Sequence, residues 1–201
     1  AAGAADAINH VIEQYFCATH SDLTDGMCES VIRSLIKNAK IALEHPDDEG
    51  ARGEFMVDCS LACNGILSVG NSPSGWPCHG MEHALSAYHQ ALPHGAGLIM
   101  ISLAYFSHMI DIHVCDDRFI ILARHMGRPD AAKPEDFLDA LKELQEKCGV
   151  ANLKMSDYGI SPDEFHKMAH NAKTAMAGLF MADRMPMSED DCVAIYQASY
   201  R

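Results

Sequence analysis

Residues 76–110 read WPCHGMEHALSAYHQALPHGAGLIMISLAYFSHMI. This stretch decides between a nucleotide-binding strand–turn–helix and an all-helical fold. A short helix is expected from about His79 to Gln90, Pro93 interrupts it, and a long apolar helix starts near Gly95. The run from Gly95 to Ile110 is too short to span a bilayer and contains His108, so it reads as a buried helix. Glycines at 95 and 97 suggest a dinucleotide loop, but Met100 stands where the third glycine belongs and no strand precedes the turn. The stretch is therefore read as helix, turn, helix.

Composition points the same way on either side. The chain has 27 Ala and 12 Met against 3 Thr and 7 Val, which favours helices over strands. Upstream, helices are expected from about Ala4 to Phe16, Thr24 to Glu44 and Ala51 to Val69, separated by turn-rich loops such as His45-Pro46-Asp47-Asp48-Glu49-Gly50. Downstream, one helix covers Asp116 to Met126 and stops at Gly127 and Pro129. Three more announce their starts: Pro134-Glu135-Asp136, the capping box Ser161-Pro162-Asp163-Glu164, and its variant Ser188-Glu189-Asp190-Asp191. The expectation is one all-α domain over residues 1–201, a bundle of about eight helices, with no internal repeat or linker.

The formal charge is 15 − 28 = −13, which opposes binding to nucleic acid or to an anionic membrane surface. Hydrophobic residues make up 48%, enough for a real core. Eight cysteines are scattered with no CxxC pair, and no charged-then-apolar leader is visible, so a reducing cytoplasm with free thiols is expected. The Met-rich apolar helices leave room for a homodimer.

Two groups of residues can do chemistry. Asp6 and His10 lie four apart on the first helix, so their side chains share one face and can meet a single cation. The competing reading is an aspartate complementing the helix dipole beside an unrelated histidine. The second group is His79, His83, His89 and His94, within sixteen positions. His79 and His83 are again four apart, but the order H-G-M-E-H does not put Glu82 where a zincin's general base stands. Pro93 and Gly95 flank His94 with a turn able to aim its imidazole back at the helix; the competing reading is a His-rich helix end capping its own carbonyls. His45, His108, His113, His125, His166 and His170 follow no ligand spacing.

Taken together, AAGAADAINHVIEQY (1–15) and HGMEHALSAYHQALPHGAG (79–97) make the chain resemble the C-terminal helical domain of the iron-containing (group III) alcohol dehydrogenases, a group that includes lactaldehyde reductase and NAD(P)H-dependent butanol dehydrogenases. The resemblance runs on weakly through A-R-H-M-G and I-Y-Q-A-S-Y, so it spans essentially the whole chain. It implies a dehydroquinate synthase-like helical fold and a divalent metal held by Asp6, His10, His79 and His94. It also implies that His83 lies beside the nicotinamide and substrate as a proton relay. The stretch from His79 to His94 is one residue longer than in typical relatives, which leaves His89 as a rival to His94. The implied reaction interconverts small primary alcohols and aldehydes by hydride exchange with NAD or NADP. Iron is the implied metal, with zinc possible from the donor types. The resemblance further implies a partner, an N-terminal α/β nucleotide-binding half absent from this stretch. On that reading the sequence is a fragment, and the missing Met and abrupt AAGAAD opening agree with it. Two rival readings stand beside this one: a zinc-dependent glycerol dehydrogenase-like polyol oxidoreductase, and a helical metal-binding module without catalysis. H-G-M-E-H followed by P-H-G favours the iron group over the first. Loss of a ligand would favour the second, and all four are present.

Overall fold

The computed structural model describes all residues except 182, 183 and 185. Ten α-helices and no strand are found among the described residues, against about eight helices expected. They are α1 (Ala2–Tyr15), α2 (Asp22–Glu44), α3 (Glu49–Cys63), α4 (Pro77–Tyr88), α5 (His94–Asp111), α6 (Asp116–His125), α7 (Glu135–Lys147), α8 (Phe165–Ala175), α9 (Ala177–Met181) and α10 (Glu189–Ser199). The all-α class thus holds. The five-residue α9 is too short to carry a periodic signal, and this is why the sequence reading omits it.

Local chemistry accounts for where the helices begin and end. Asp48 caps α3 by accepting the Ala51 N–H at 2.9 Å. The third helix stops at Cys63 and not at the expected Val69. Gly65 follows in the left-handed region (φ +82°), a conformation that ends a helix cheaply only at glycine, and Ile66–Ser68 form a separate 3-10 turn. Ser161 heads a 3-10 turn over Pro162–Glu164 before α8 starts at Phe165, with Glu164 accepting the Ser161 N–H at 3.2 Å. At α10 the box closes in both directions: Ser188 Oγ accepts from Asp191 N–H at 3.1 Å, and Asp191 Oδ2 accepts from Ser188 N–H at 2.8 Å.

Helix α5 is the axle of the fold. It is apolar nearly all round and packs against α1, α4, α7 and α10. Phe106 on its buried face joins Phe16, Phe119 and Phe137 in an aromatic cluster with ring centroids 4.4–6.3 Å apart. On the opposite side Tyr196 of α10 donates to the Met81 carbonyl of α4 at 2.7 Å. The end of α1 is pinned by buried Arg118 of α6, which forks onto Asp25 at 2.7 and 2.8 Å, donates to the Tyr15 carbonyl and stacks 3.8 Å over the Tyr15 ring. Among the described residues no helix is long and apolar enough to cross a membrane.

The helices that carry the candidate residues approach one another closely. A Cβ on Gly95 would collide with the Ala2 carbonyl of α1, and one on Gly97 would collide with the Glu82 carboxylate of α4. These two glycines therefore serve helix packing, not a nucleotide loop.

Candidate metal centre

Helix α1 presents Asp6 and His10 on one face, α4 presents His79 and His83, and His94 opens α5 immediately after Pro93. The packing of α1, α4 and α5 brings these faces together. Asp6 Oδ1 lies 3.4 Å from His10 Nε2, 3.4 Å from His79 Nε2 and 3.3 Å from His94 Nε2. Asp6, His79 and His94 each offer one ligand atom within 4.8 Å of the other two. The His10 ring meets His79 edge-on at 4.5 Å. His83 stands on the rim, its ring 5.1 Å from that of His94 and 6.2 Å from that of His79.

The structure puts His94, and not His89, beside Asp6. His89 turns the other way, with Nε2 at 3.1 Å from Glu164 and Nδ1 at 3.2 Å from the Tyr158 carbonyl. Helix α4 ends at Tyr88 and α5 begins at His94, so residues 89–93 form the turn that carries His89 away from the site and leaves His94 at the head of α5. Four histidines without ligand spacing make other contacts: His108 with Asp191, His113 with Asp116, His125 with Glu29 and His170 with Glu189.

Three kinds of residue at the site escape the sequence reading. The first is a pair of buried carboxylates. Glu13 Oε2 pairs with His79 Nδ1, and Glu82 Oε2 pairs with His94 Nδ1. The Glu13–His79 pair spans 66 positions and the Glu82–His94 pair spans 12, so nothing in local spacing announces either. The only signal was that both acids sit on helix faces already carrying histidine. The second is Trp76, whose ring lies 4.9 Å from that of His10 and 5.2 Å from that of His79. The third is Gln14, which donates to the carbonyls of His10 and Ala62, both at 2.8 Å, and accepts from Ser68 at 2.9 Å. It fastens α1 to the end of α3.

The electrostatics follow from this packing. Burial pushes the Asp6 carboxyl up, but the imidazoles of His79 and His94 outweigh it and hold the group well below the usual carboxylate range. Burial and the neighbouring His79 lower His10 to about 4. Burial opposes charge on His79 and His94 too, yet Glu13 and Asp6 raise His79 to about 9, and Asp6 and Glu82 raise His94 to about 9. Burial and nearby His94 lower His83.

This donor set fits a divalent cation. Asp6 Oδ1 and His79 Nε2 are buried without a hydrogen-bond partner, a costly state for polar atoms unless something else satisfies them. Asp6, His79 and His94 form the tight group, His10 joins it through its 3.4 Å approach to Asp6, and three imidazoles with one carboxylate are a combination suited to Fe(II) or Zn(II). The donors open into a cleft of about 380 Å³ walled by Trp76, Ala62, Cys63 and Leu179.

Comparison with known proteins identifies the family and the fold. The sequence profile described as "Fe-containing alcohol dehydrogenase family, C-terminal" matches residues 1–200. NADH-dependent butanol dehydrogenase A of Clostridium acetobutylicum is 34% identical over 208 residues, covering all of this chain and 52% of the relative. The probable NADH-dependent butanol dehydrogenase 2 of Bacillus subtilis is 28% identical, covering 98% of this chain and 51% of its own length. The crystal structure of NADH-dependent butanol dehydrogenase A from Thermotoga maritima superposes on the whole chain with a TM-score of 0.87 at 24% identity, over 52% of its own length. The chain spans about half the length of these relatives.

Proposed function

Since the chain belongs to the Fe-containing alcohol dehydrogenase family, matching its C-terminal part, we propose that residues 1–201 form the metal-holding domain of an enzyme that interconverts small primary alcohols and aldehydes with NAD(P)H. One observation carries the reading: imidazoles from three histidines converge on a single orphaned oxygen of Asp6, at the floor of a cleft. Asp6, His10, His79 and His94 hold the ion. Iron is preferred from the family, and zinc is compatible with the same donors. When bound, the ion's contribution is Lewis acidity that stabilises negative charge on a substrate oxygen.

The chain's own residues do the rest. His83 adjoins the metal-holding histidines, and its lowered pKa keeps it neutral near pH 7. A ring nitrogen of His83 can then pass a proton to or from the substrate hydroxyl, next to the nicotinamide. Trp76 and Leu179 give the cleft an apolar wall for a short hydrocarbon chain. The nicotinamide is carried by a partner half outside these 201 residues, and NADH is the form named for the butanol dehydrogenase relatives. Eight free thiols suit a reducing cytoplasm.

Metal content after anaerobic loading with Fe(II), measured by mass spectrometry, tests the assignment. Asp6→Asn, His79→Ala and His94→Ala should lose stoichiometric metal, while His89→Ala keeps it. Retention by His94→Ala together with loss by His89→Ala would overturn the ligand set.

A further inference from the structure

Each imidazole has two nitrogens, and at this site their uses are divided. His79 and His94 both turn Nε2 toward Asp6. Both give Nδ1 to a carboxylate sealed from solvent, with Glu13 3% exposed and Glu82 fully buried. The second oxygen of each acid is also engaged. Glu13 Oε1 accepts the Cys78 N–H at 3.0 Å, and Glu82 Oε1 accepts from Ser86 Oγ at 2.5 Å. Among the described residues neither acid is paired with a lysine or arginine. Burying a carboxylate without such a cation is expensive, so the imidazoles and whatever charge they hold must repay it. The α5 backbone is shaped to admit one of these acids, since any side chain at Gly97 would strike Glu82.

The pairs also cross between helices. Glu13 of α1 grips His79 of α4, and Glu82 of α4 grips His94 of α5. A carboxylate accepting the Nδ1 proton turns Nε2 toward the ion, fixes the ring plane and makes Nε2 a stronger donor once its own proton has left. Resting on the metal-site reading above, we propose that Glu13 and Glu82 are positioning residues that aim His79 and His94 and set the affinity of the site for a divalent ion. They touch neither substrate nor nicotinamide. Their work is to hold two ligands ready before the ion arrives.

The test uses the 201-residue chain with Co(II) as the probe. Affinity is read by chelator competition and ligand geometry by the visible Co(II) spectrum. Thermal melting without metal reports on the scaffold. Glu13→Gln and Glu82→Gln keep the size and an acceptor oxygen but remove the charge. Each should weaken Co(II) by about 10–100-fold and alter its spectrum, with little change in metal-free melting. Ser86→Ala is a milder variant that leaves both acids in place and releases one oxygen of Glu82. It should weaken Co(II) in the same direction, and it keeps the Glu82 assignment testable if the glutamine variants fold poorly. Wild-type affinity and spectrum in Glu13→Gln, Glu82→Gln and Ser86→Ala, with Asp6→Asn losing Co(II), would overturn the positioning role and leave the metal site standing. Failure of the unaltered chain to bind Co(II) would overturn both.

Discussion

At the scale of single residues, the protonation of His79 and His94 links metal loading to pH. Without an ion, nearby carboxylates raise both imidazoles to about 9, so both carry an extra proton at pH 7. A metal takes only the neutral ring, so binding must displace those protons. Affinity should therefore rise as pH climbs from 6 toward 9 and flatten above it, with protons released on loading near neutrality. Calorimetry of Zn(II) binding in buffers of different ionisation enthalpy measures this directly, and an affinity independent of pH across that range would contradict it. Some of this was legible from sequence. Asp6 and His10 could be paired because a helix returns to the same face every four residues. The partners of Nδ1 could not, because Glu13 meets His79 only after three helices have packed.

At the scale of elements, helix starts were easier to read than helix ends. Starts carry capping chemistry in a few adjacent residues: Asp48 before α3, Ser161 before its 3-10 turn, Ser188 before α10. Ser188→Ala should cost about 1 kcal/mol, visible as a lower urea midpoint at unchanged slope, with metal binding intact because α10 contributes no ligand. Helix α3 ends at Cys63, six residues before the expected Val69. The apolar residues after Cys63 continue a helical pattern, but Gly65 takes a left-handed conformation and breaks the helix. The consequence reaches the site, because Ala62 and Cys63 at that end wall the cleft and Gln14 bridges the Ala62 carbonyl to α1.

At the scale of the whole molecule, α1, α4 and α5 bring Asp6, His10, His79 and His94 together, and the described residues make no glycine-rich strand–turn–helix for a nucleotide. On the proposed reading, the metal-loaded 201 residues by themselves should therefore show negligible NAD(P)H-dependent aldehyde reduction, because none of the described elements is a nucleotide-binding unit. Robust consumption of NADH with butanal would sink this division of labour. The sequence by itself determined the all-helical class and the donor types, because helical period, capping and i,i+4 stacking act over a few residues. It also placed Asp6 and His10 on one helix face, where they lie 3.4 Å apart. Only the tertiary structure decided that His94 and not His89 faces Asp6, and that Glu13 and Glu82 grip the two histidines. Those contacts depend on how closely helices far apart in the chain can pack, and that is set by side-chain volume at positions such as Gly95 and Gly97.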